Sequence, residues 1–260
     1  MLHPAARSSG YRLHHHASLG STNEEALALA RAGEPGGLWI LADRQTAGRG
    51  RVGRHWSSPP GNHYATLLLV DPCEPRLAPQ LGFVAGVALA RALVAVAGPG
   101  RGIAIKWPND ILCDGAKLAG ILVEGGSAPG GPRNFSAVLG FGVNCASHPT
   151  NLSYPATHLA LVAGAAGTRD AVFAALSAAV VDALGLWDRG RNFAGLRRAW
   201  LDHALPPGVP LAVVRQGARH VGTFKSVDQD GRLILETDSG CVTVEAGDVF
   251  LADRETAAAS

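Results

Sequence analysis

The sequence predicts an α+β protein built on a mixed or antiparallel sheet, followed by a small SH3-like β-barrel. Three observations carry this. Short apolar runs bounded by turn residues mix with long apolar helical stretches, without the regular β-α-β alternation of a doubly wound sheet. At Pro206-Pro207-Gly208 the composition shifts to short strands separated by turns containing Gly217, Asp230-Gly231 and Ser239-Gly240. The chain has 260 residues, 47% hydrophobic and 17% charged, enough for one sizeable core and a satellite, with no signature of disorder. Residues 1–205 are read as the main domain and 206–260 as the barrel.

The elements follow in order. A short N-terminal strand ends near Leu19, and Ser21-Thr22-Asn23-Glu24-Glu25 is a helix start opening an apolar-periodic segment to about Ala32. Segments 38–43 and 64–70 read as strands flanking a Gly/Arg-rich loop. Residues 81–97 form a helix stopped by Gly98-Pro99-Gly100. Residues 103–106 are a short strand, and 107–116 one short turn holding Trp107-Pro108-Asn109-Asp110. Segments 118–124 and 135–144 read as paired strands, which makes the Gly/Pro stretch 125–134 a hairpin loop rather than an interdomain linker. Helices are expected over 169–187 and 192–202, and barrel strands over 211–214, 220–228, 233–237 and 241–245.

Several function classes drop out. Stretches 83–97 and 171–187 are interrupted by Arg91 and Asp182 and read as buried helices, not membrane spans, and no apolar signal-peptide core precedes Ser21. A formal charge of +2, spread along the chain, gives no general argument for nucleic acid. Cysteines 73, 113, 145 and 241 lack a C-x-x-C pair and read as reduced thiols of a cytoplasmic protein. His14, His15 and His16 are adjacent, which hinders convergence on one ion, so no metal site is expected.

The chemistry concentrates in a few segments. Gly48-Arg49-Gly50-Arg51-Val52-Gly53 has the spacing of a dinucleotide fingerprint, but Arg54-His55-Trp56-Ser57-Ser58-Pro59 follows where that motif needs a helix. What remains is a glycine-rich loop whose guanidiniums can clamp phosphate or carboxylate, flanked by Gln45 and by Trp56, which can stack on a flat ligand. A solvated basic turn is the plainer alternative. Lysine is scarce: only Lys106, Lys117 and Lys225 occur, and two of them bracket one turn. A compact ammonium on a phosphate is not interchangeable with guanidinium, which favours a functional pair. Gly140-Phe141-Gly142-Val143-Asn144 ends a strand with small residues that can lie against a ligand ring, or else form a bulge with a satisfied Asn. No nucleophile–base set, H-E-x-x-H or P-loop occurs. The cations instead suit substrates that react with each other while the protein stabilises phosphate charge.

Taken in order, these segments resemble the biotin–protein ligase family. The matching pieces are Ser21-Thr22-Asn23, the run from Gln45 to Arg51, Lys106-Trp107-Pro108-Asn109-Asp110, the run from Lys117 to Glu124, and Gly140 to Asn144. The resemblance implies synthesis of biotinyl-adenylate from biotin and ATP, with Mg²⁺ accompanying ATP, and transfer of biotin to a lysine of a biotin carboxyl carrier protein, such as that of acetyl-CoA carboxylase. It implies that Ser21, Thr22 and Gln45 contact biotin with Asn23 close by, and that Arg49, Gly50 and Arg51 close over biotin and the adenylate. Lys117 would bridge the biotin carboxylate and the α-phosphate. Trp56 and Asn144 would face the adenine, with Arg54 and Lys106 on the nucleotide and Asn109 and Asp110 near the phosphates and the acceptor lysine. Lys117, Arg51 and Asp110 are the candidate catalytic residues. Only twenty residues precede Ser21, too few for a helix-turn-helix, so no specific DNA is expected as partner. The family includes homodimers. Two competing readings are a lipoate–protein ligase or octanoyltransferase and a non-catalytic nucleotide- or nucleic-acid-binding module.

Overall fold

The computed structural model describes residues 1–129, 133–215 and 218–252, and the turn expected at Gly217 lies outside them. The main domain runs α1 (Pro4–Ser8), β1 (Arg12–His16), α2 (Thr22–Arg31), β2 (Leu38–Ala42), β3 (His63–Val70), α3 (Leu81–Ala97), β4 (Ile103–Lys106), β5 (Asp110–Cys113), β6 (Ala116–Gly126), β7 (Ser136–Val143), α4 (Leu159–Ala163), α5 (Arg169–Trp187) and α6 (Phe193–Leu201). Then come β8 (Pro210–Arg215), β9 (Ala218–Val227), β10 (Leu233–Thr237), β11 (Gly240–Val244) and β12 (Asp248–Leu251).

The first seven strands form one sheet in the order β1-β2-β3-β7-β6-β5-β4, with β1 and β2 parallel and every other pair antiparallel. The α+β expectation with a mixed sheet is met. Helices cover both faces, and β2 shows why its sequence is a continuous apolar run. Leu38 and Ile40 meet Ala26 and Ala30 of α2, while Trp39 and Leu41 join the main core beside α3 and α5. Trp39 packs edge-on against Phe173 of α5. By length and hydropathy, Pro75–Ala97 and Arg169–Gly190 could each cross a membrane. Here α3 and α5 instead pack on one another and bury Leu89, Leu93, Phe173 and Leu176.

Two corrections concern the strand edge that builds the site. Residues 107–116 are not one turn: Asp110–Cys113 is a strand, paired with β4 on one side and β6 on the other. The chain also has a fifth strand in its C-terminal sheet, β12, which pairs antiparallel with β8. That sheet runs β11-β10-β9-β8-β12. The stretch after β6 is a hairpin connection, since β6 and β7 pair from Ala119↔Val143 to Gly126↔Ser136.

The C-terminal sheet docks on the β4 side of the main domain. Trp107 Nε1 donates to the Gly231 carbonyl at 3.0 Å, and Arg197 Nε donates to Val227 O at 2.9 Å. Lys106 Nζ reaches the Val249 carbonyl on β12. The second sheet thereby becomes a wall of the site.

Candidate active site

A cavity of about 760 Å³ opens over β6 and β7. It is bounded by the start of α2, residues 48–56, the β4–β5 connection, residues 152–155 and β12. Every nominated residue except Asn144 lines it. Asn144 is buried beside β7 and its Nδ2 donates to the Thr157 carbonyl at 3.1 Å, pinning the chain that leads from the loop at 152–155 into α4.

One end of the cavity is a polar network locked from behind. Ser21 holds the N-cap position of α2 without making a capping bond, and Thr22 donates to Gln45 Oε1 from its backbone N (2.8 Å) and its hydroxyl (3.1 Å). Gln45 Nε2 donates to Ser58 Oγ at 3.0 Å, which fixes the orientation of its amide. The Thr66 hydroxyl, buried in β3, donates to Asn23 Oδ1 at 2.7 Å. Asn23 Nδ2 in turn donates to Glu124 Oε2 at 2.8 Å. The small residues of β7 are needed here: a Cβ on Gly140 would collide with the Asn23 amide. At Gly142 it would lie 2.6 Å from the Trp56 ring. The indole of Trp56 rests on the backbone of β7.

The other end is a charge cluster. Lys106 and Asp110 face each other across β4 and β5, and a register shift in the β5–β6 ladder brings Lys117 alongside. Lys106 Nζ lies 3.0 Å from Asp110 Oδ2, and Lys117 Nζ lies 2.6 Å from Oδ1. Burial holds the Lys106 ammonium below its ordinary pKa, with the Asp110 carboxylate offsetting part of that. Burial pushes the Asp110 carboxyl up, but the two ammoniums outweigh it, so its pKa lies below the usual carboxylate range. Lys117 Nζ is also 5.6 Å from the ring centroids of both Trp56 and Tyr154, within cation–π range.

The Gly/Arg loop closes across the cavity between these two ends. It is a tight turn held by the Arg49↔His55 bridge and by Gly50 N donating to Arg54 O at 2.7 Å. Its three arginines reach three different elements. Arg49 lies 3.3 Å from Glu24 of α2 and 3.4 Å from Glu124 of β6. Arg51 Nη1 donates to Asn109 Oδ1 at 3.3 Å. Arg54 pairs with Asp248 of β12. Asn109 is fixed by bonds with Ile121 in both directions, 2.8 and 2.9 Å.

Sequence reasoning missed two parts of this site. Residues 152–155 carry no motif and arrive through backbone pairing, with Lys117 N donating to Pro155 O at 2.8 Å and Thr157 N to Lys117 O at 3.0 Å. Asp248–Leu251 is the second, and its only sequence signal is the short apolar run Val249-Phe250-Leu251.

Two ammoniums gathered round one buried carboxylate, a polar pocket and an arginine-bearing loop suit a site that stabilises anionic, phosphate-like charge. Residues 18–144 match the biotin/lipoate A/B protein ligase family, and 213–252 match the biotin protein ligase C-terminal domain. The chain is 40% identical over 237 residues to the biotin–[acetyl-CoA-carboxylase] ligase of Paracoccus denitrificans, covering 88% of this chain and 96% of that one. It is 32% identical to the bifunctional ligase/repressor BirA of Bacillus subtilis, over 93% of this chain and 74% of the relative. The fold superposes on the biotin protein ligase of Aquifex aeolicus in complex with biotin and ATP, with a TM-score of 0.78 at 23% identity, over 93% of this chain and 99% of the other. The chain belongs to the biotin protein ligase family.

Proposed function

We infer that this enzyme joins biotin to ATP, forming biotinyl-5′-AMP and releasing pyrophosphate, and then transfers biotin to a lysine of a biotin carboxyl carrier domain. The observation that carries this reading is the Lys106–Asp110–Lys117 cluster, set at one end of a cavity whose other end is the Thr22–Gln45–Asn23 network. A carboxylate attacking an α-phosphate brings two anions together, and fixed ammoniums offset that repulsion. Lys117 is assigned to the carboxylate and α-phosphate, and Lys106 to the phosphates. Ser21, Thr22 and Gln45 are assigned to biotin, Trp56 to the adenine, and Arg49 and Arg51 to the lid that keeps water from the mixed anhydride.

Asp110 is better read as the group that holds the two lysines than as the base for the acceptor amine. A carboxylate whose pKa is held below the ordinary range is a poor proton acceptor. Mg²⁺ enters with ATP as part of that substrate. Among the described residues, no group of three or more His, Cys, Asp or Glu forms a site for a resident ion. Residues before Ser21 are spent on α1 and on β1, which pairs into the main sheet, so this stretch does not supply a DNA-reading helix. We place the enzyme in the cytoplasm, where its four free thiols stay reduced.

The test is incubation with ATP, Mg²⁺, biotin and a carrier domain, read by mass, with lipoate replacing biotin in a parallel arm. The carrier should gain one biotin in the first arm and nothing in the second. Lipoylation without biotinylation would overturn the reading in favour of a lipoate ligase.

A further inference from the structure

His148 and His158 lie outside the cavity, yet they close the loop that forms one of its walls. Both rings are half-buried, and their Nδ1 atoms lie 2.7 Å apart. The ring centres are 5.0 Å apart. What remains is no more than the distance from each centre to its own nitrogen, so the two nitrogens meet head-on. That arrangement suits a shared proton and not a metal ion, since zinc at about 2.0–2.1 Å from each would need them roughly 4 Å apart.

Below the pair the chain is fixed. Asn62 Oδ1 accepts from the backbone N of Cys145 and Ala146 at 2.8 Å and of Ser147 at 3.1 Å, while Thr157 N donates to Lys117 O at 3.0 Å. Above it, no hydrogen bond among the described residues holds 149–154. Tyr154 in that stretch has its ring centre 5.6 Å from Lys117 Nζ. The pair is therefore the last fixed point before the wall beside Lys117. Few other titratable groups face it. Residues 145–147 bring only the Cys145 thiol, which burial pushes up to about 12, and behind it His63 is held by burial at about 3. Arg169, which acts on both, is paired with Asp43. The helix α4 has no titratable side chain, and Arg91 of α3, packed on α4, acts on His203. The loop itself brings Tyr154, and Lys117 turns its ammonium to Asp110.

We propose that His148 and His158 are positioning residues, a proton-linked clasp that holds residues 149–155 against the cavity and opens when both Nδ1 atoms are protonated. Each neutral imidazole carries one N–H, so one Nδ1 donates and the other accepts. A first added proton goes to the free Nε2 of the donor and leaves a charge-assisted bond. A second must go on the accepting Nδ1, which sets two N–H groups and two positive charges head-on. The pair thus titrates as a unit, in two separated steps. Burial and the neighbouring His148 hold the His158 imidazole below its ordinary pKa, in the direction of the second step. The kinetic consequence rests on the ligase reading above, in which the wall beside Lys117 faces the α-phosphate of ATP. The titration does not rest on it.

The experiment follows two quantities from about pH 8 to about pH 5. One is the imidazole Cε1–H resonances of the unliganded enzyme, and the other is KM for ATP in biotin-dependent pyrophosphate exchange. Two variants accompany wild type. His148→Asn puts an amide where Nδ1 stood, and that amide can donate to a neutral His158 or accept from a protonated one. His148→Ala removes the bond. In wild type the two rings should titrate in separated steps, the lower one below the ordinary histidine range. Across that step KM for ATP should rise about three- to tenfold, the size of one net hydrogen bond. His148→Asn should keep the neutral wild-type KM throughout. His148→Ala should show a KM raised about three- to tenfold already at neutral pH, and flat below it. At saturating ATP kcat should differ by less than about twofold among the three. Independent titration of the two rings overturns the clasp. So does the same KM profile in wild type and His148→Asn, which would assign the pH dependence to another group. Wild-type enzyme without biotin-dependent exchange sinks the ligase reading alone, and the titration still decides the clasp.

Discussion

Two sets of charged side chains face each other across the cavity. Lys106, Asp110 and Lys117 stand on strands, with the Lys106 and Asp110 side chains about nine-tenths buried and joined by direct ion pairs. Arg49, Arg51 and Arg54 stand on a glycine-rich loop, and the Arg54 side chain is 56% exposed. Both sets carry positive charge into the cavity, but their energetics differ. A buried pair cannot lose a partner without leaving a desolvated charge behind, whereas an exposed pair is worth about 0–1 kcal/mol and is readily exchanged. On the proposed assignment, charge that must be in place when the anhydride forms is built into a sheet, and charge that must release a product is hung on a loop by contacts that are cheap to break.

The comparison is broken most directly at Asp110. Asp110→Asn keeps the shape but leaves Lys106 and Lys117 without their shared counter-ion. Removing one partner of a buried pair costs about 3–5 kcal/mol, and a melting temperature lower by roughly 10 °C is expected. The pH dependence gives the sign. The folded carboxyl titrates below its ordinary value, so its contribution is complete above the unfolded carboxylate pKa and is lost as pH falls through the folded one. Wild type and variant should therefore converge in stability in acid, below about pH 4. A gap that persists unchanged to pH 2 would mean that Asp110 stabilises by packing and not by charge.

Next is Lys117→Ala, which removes one ammonium and leaves the Lys106–Asp110 pair intact. Adenylate formation should fall by about two or more orders of magnitude, as loss of a charge-stabilising group does. Thermal stability should change much less than for Asp110→Asn. Biotin-dependent pyrophosphate exchange within a few-fold of wild type would remove Lys117 from the chemistry.

These strand-borne groups also show how far the sequence could be read. The bounds of α3, β4, α5 and β10 are legible to the residue, and turn or breaker residues Gly98, Pro108, Asp188 and Asp238 follow each of them within two positions. β5 is not legible. It has four residues between Pro108 and Asp114-Gly115, too few for a periodic signal, and it is a strand because β4 and β6 flank it. β12 is set in the same way by β8, more than thirty residues earlier. The identities of the charged residues were readable from lysine scarcity and the Gly/Arg loop. Their convergence on Asp110 was not, since it depends on a register shift between β5 and β6. Asn144 marks the opposite limit. Its place at the end of the Gly140-Phe141-Gly142 run suggests a ligand contact, while its Nδ2 donates to Thr157 O, a bond that nothing in the run foretells.

On the lid the expected effects are smaller and fall on retention. Arg51→Gly removes the contact with Asn109 and a guanidinium whose charge is felt at Lys106. The variant should still make biotinyl-adenylate but release it roughly ten- to a hundredfold faster, the equivalent of a charge-assisted contact worth about 1.5–3 kcal/mol. Released adenylate acylates bystander lysines. Wild type or variant mixed with biotin, ATP and serum albumin, then blotted for albumin-bound biotin, gives the readout. Equal labelling of albumin by an active variant would show that Arg51 does not help to retain the adenylate.

The smallest effect separates the lid from its anchor. Asp248 touches no part of the charge cluster; it stands on β12 and holds Arg54, so it ties the lid to the C-terminal sheet. The pair is exposed, and its loss should change stability by less than about 1 kcal/mol. If the lid is held by cheap contacts, as the comparison with the strand-borne charges requires, Asp248→Ala should leave pyrophosphate exchange near wild type and raise adenylate escape by no more than about fivefold. Arg51→Gly/Asp248→Ala should release adenylate little faster than Arg51→Gly alone, because a lid already loosened at Arg51 gains little from its anchor. Escape can be followed by the decay of enzyme-bound adenylate after rapid gel filtration, at low and at high salt. Screening should shrink the difference between wild type and Asp248→Ala, since an exposed pair weakens as ionic strength rises. A hundredfold effect of Asp248→Ala that survives in high salt would mean that the C-terminal sheet holds the lid as firmly as the strands hold Lys117, and the contrast between the two ends of the site would be lost.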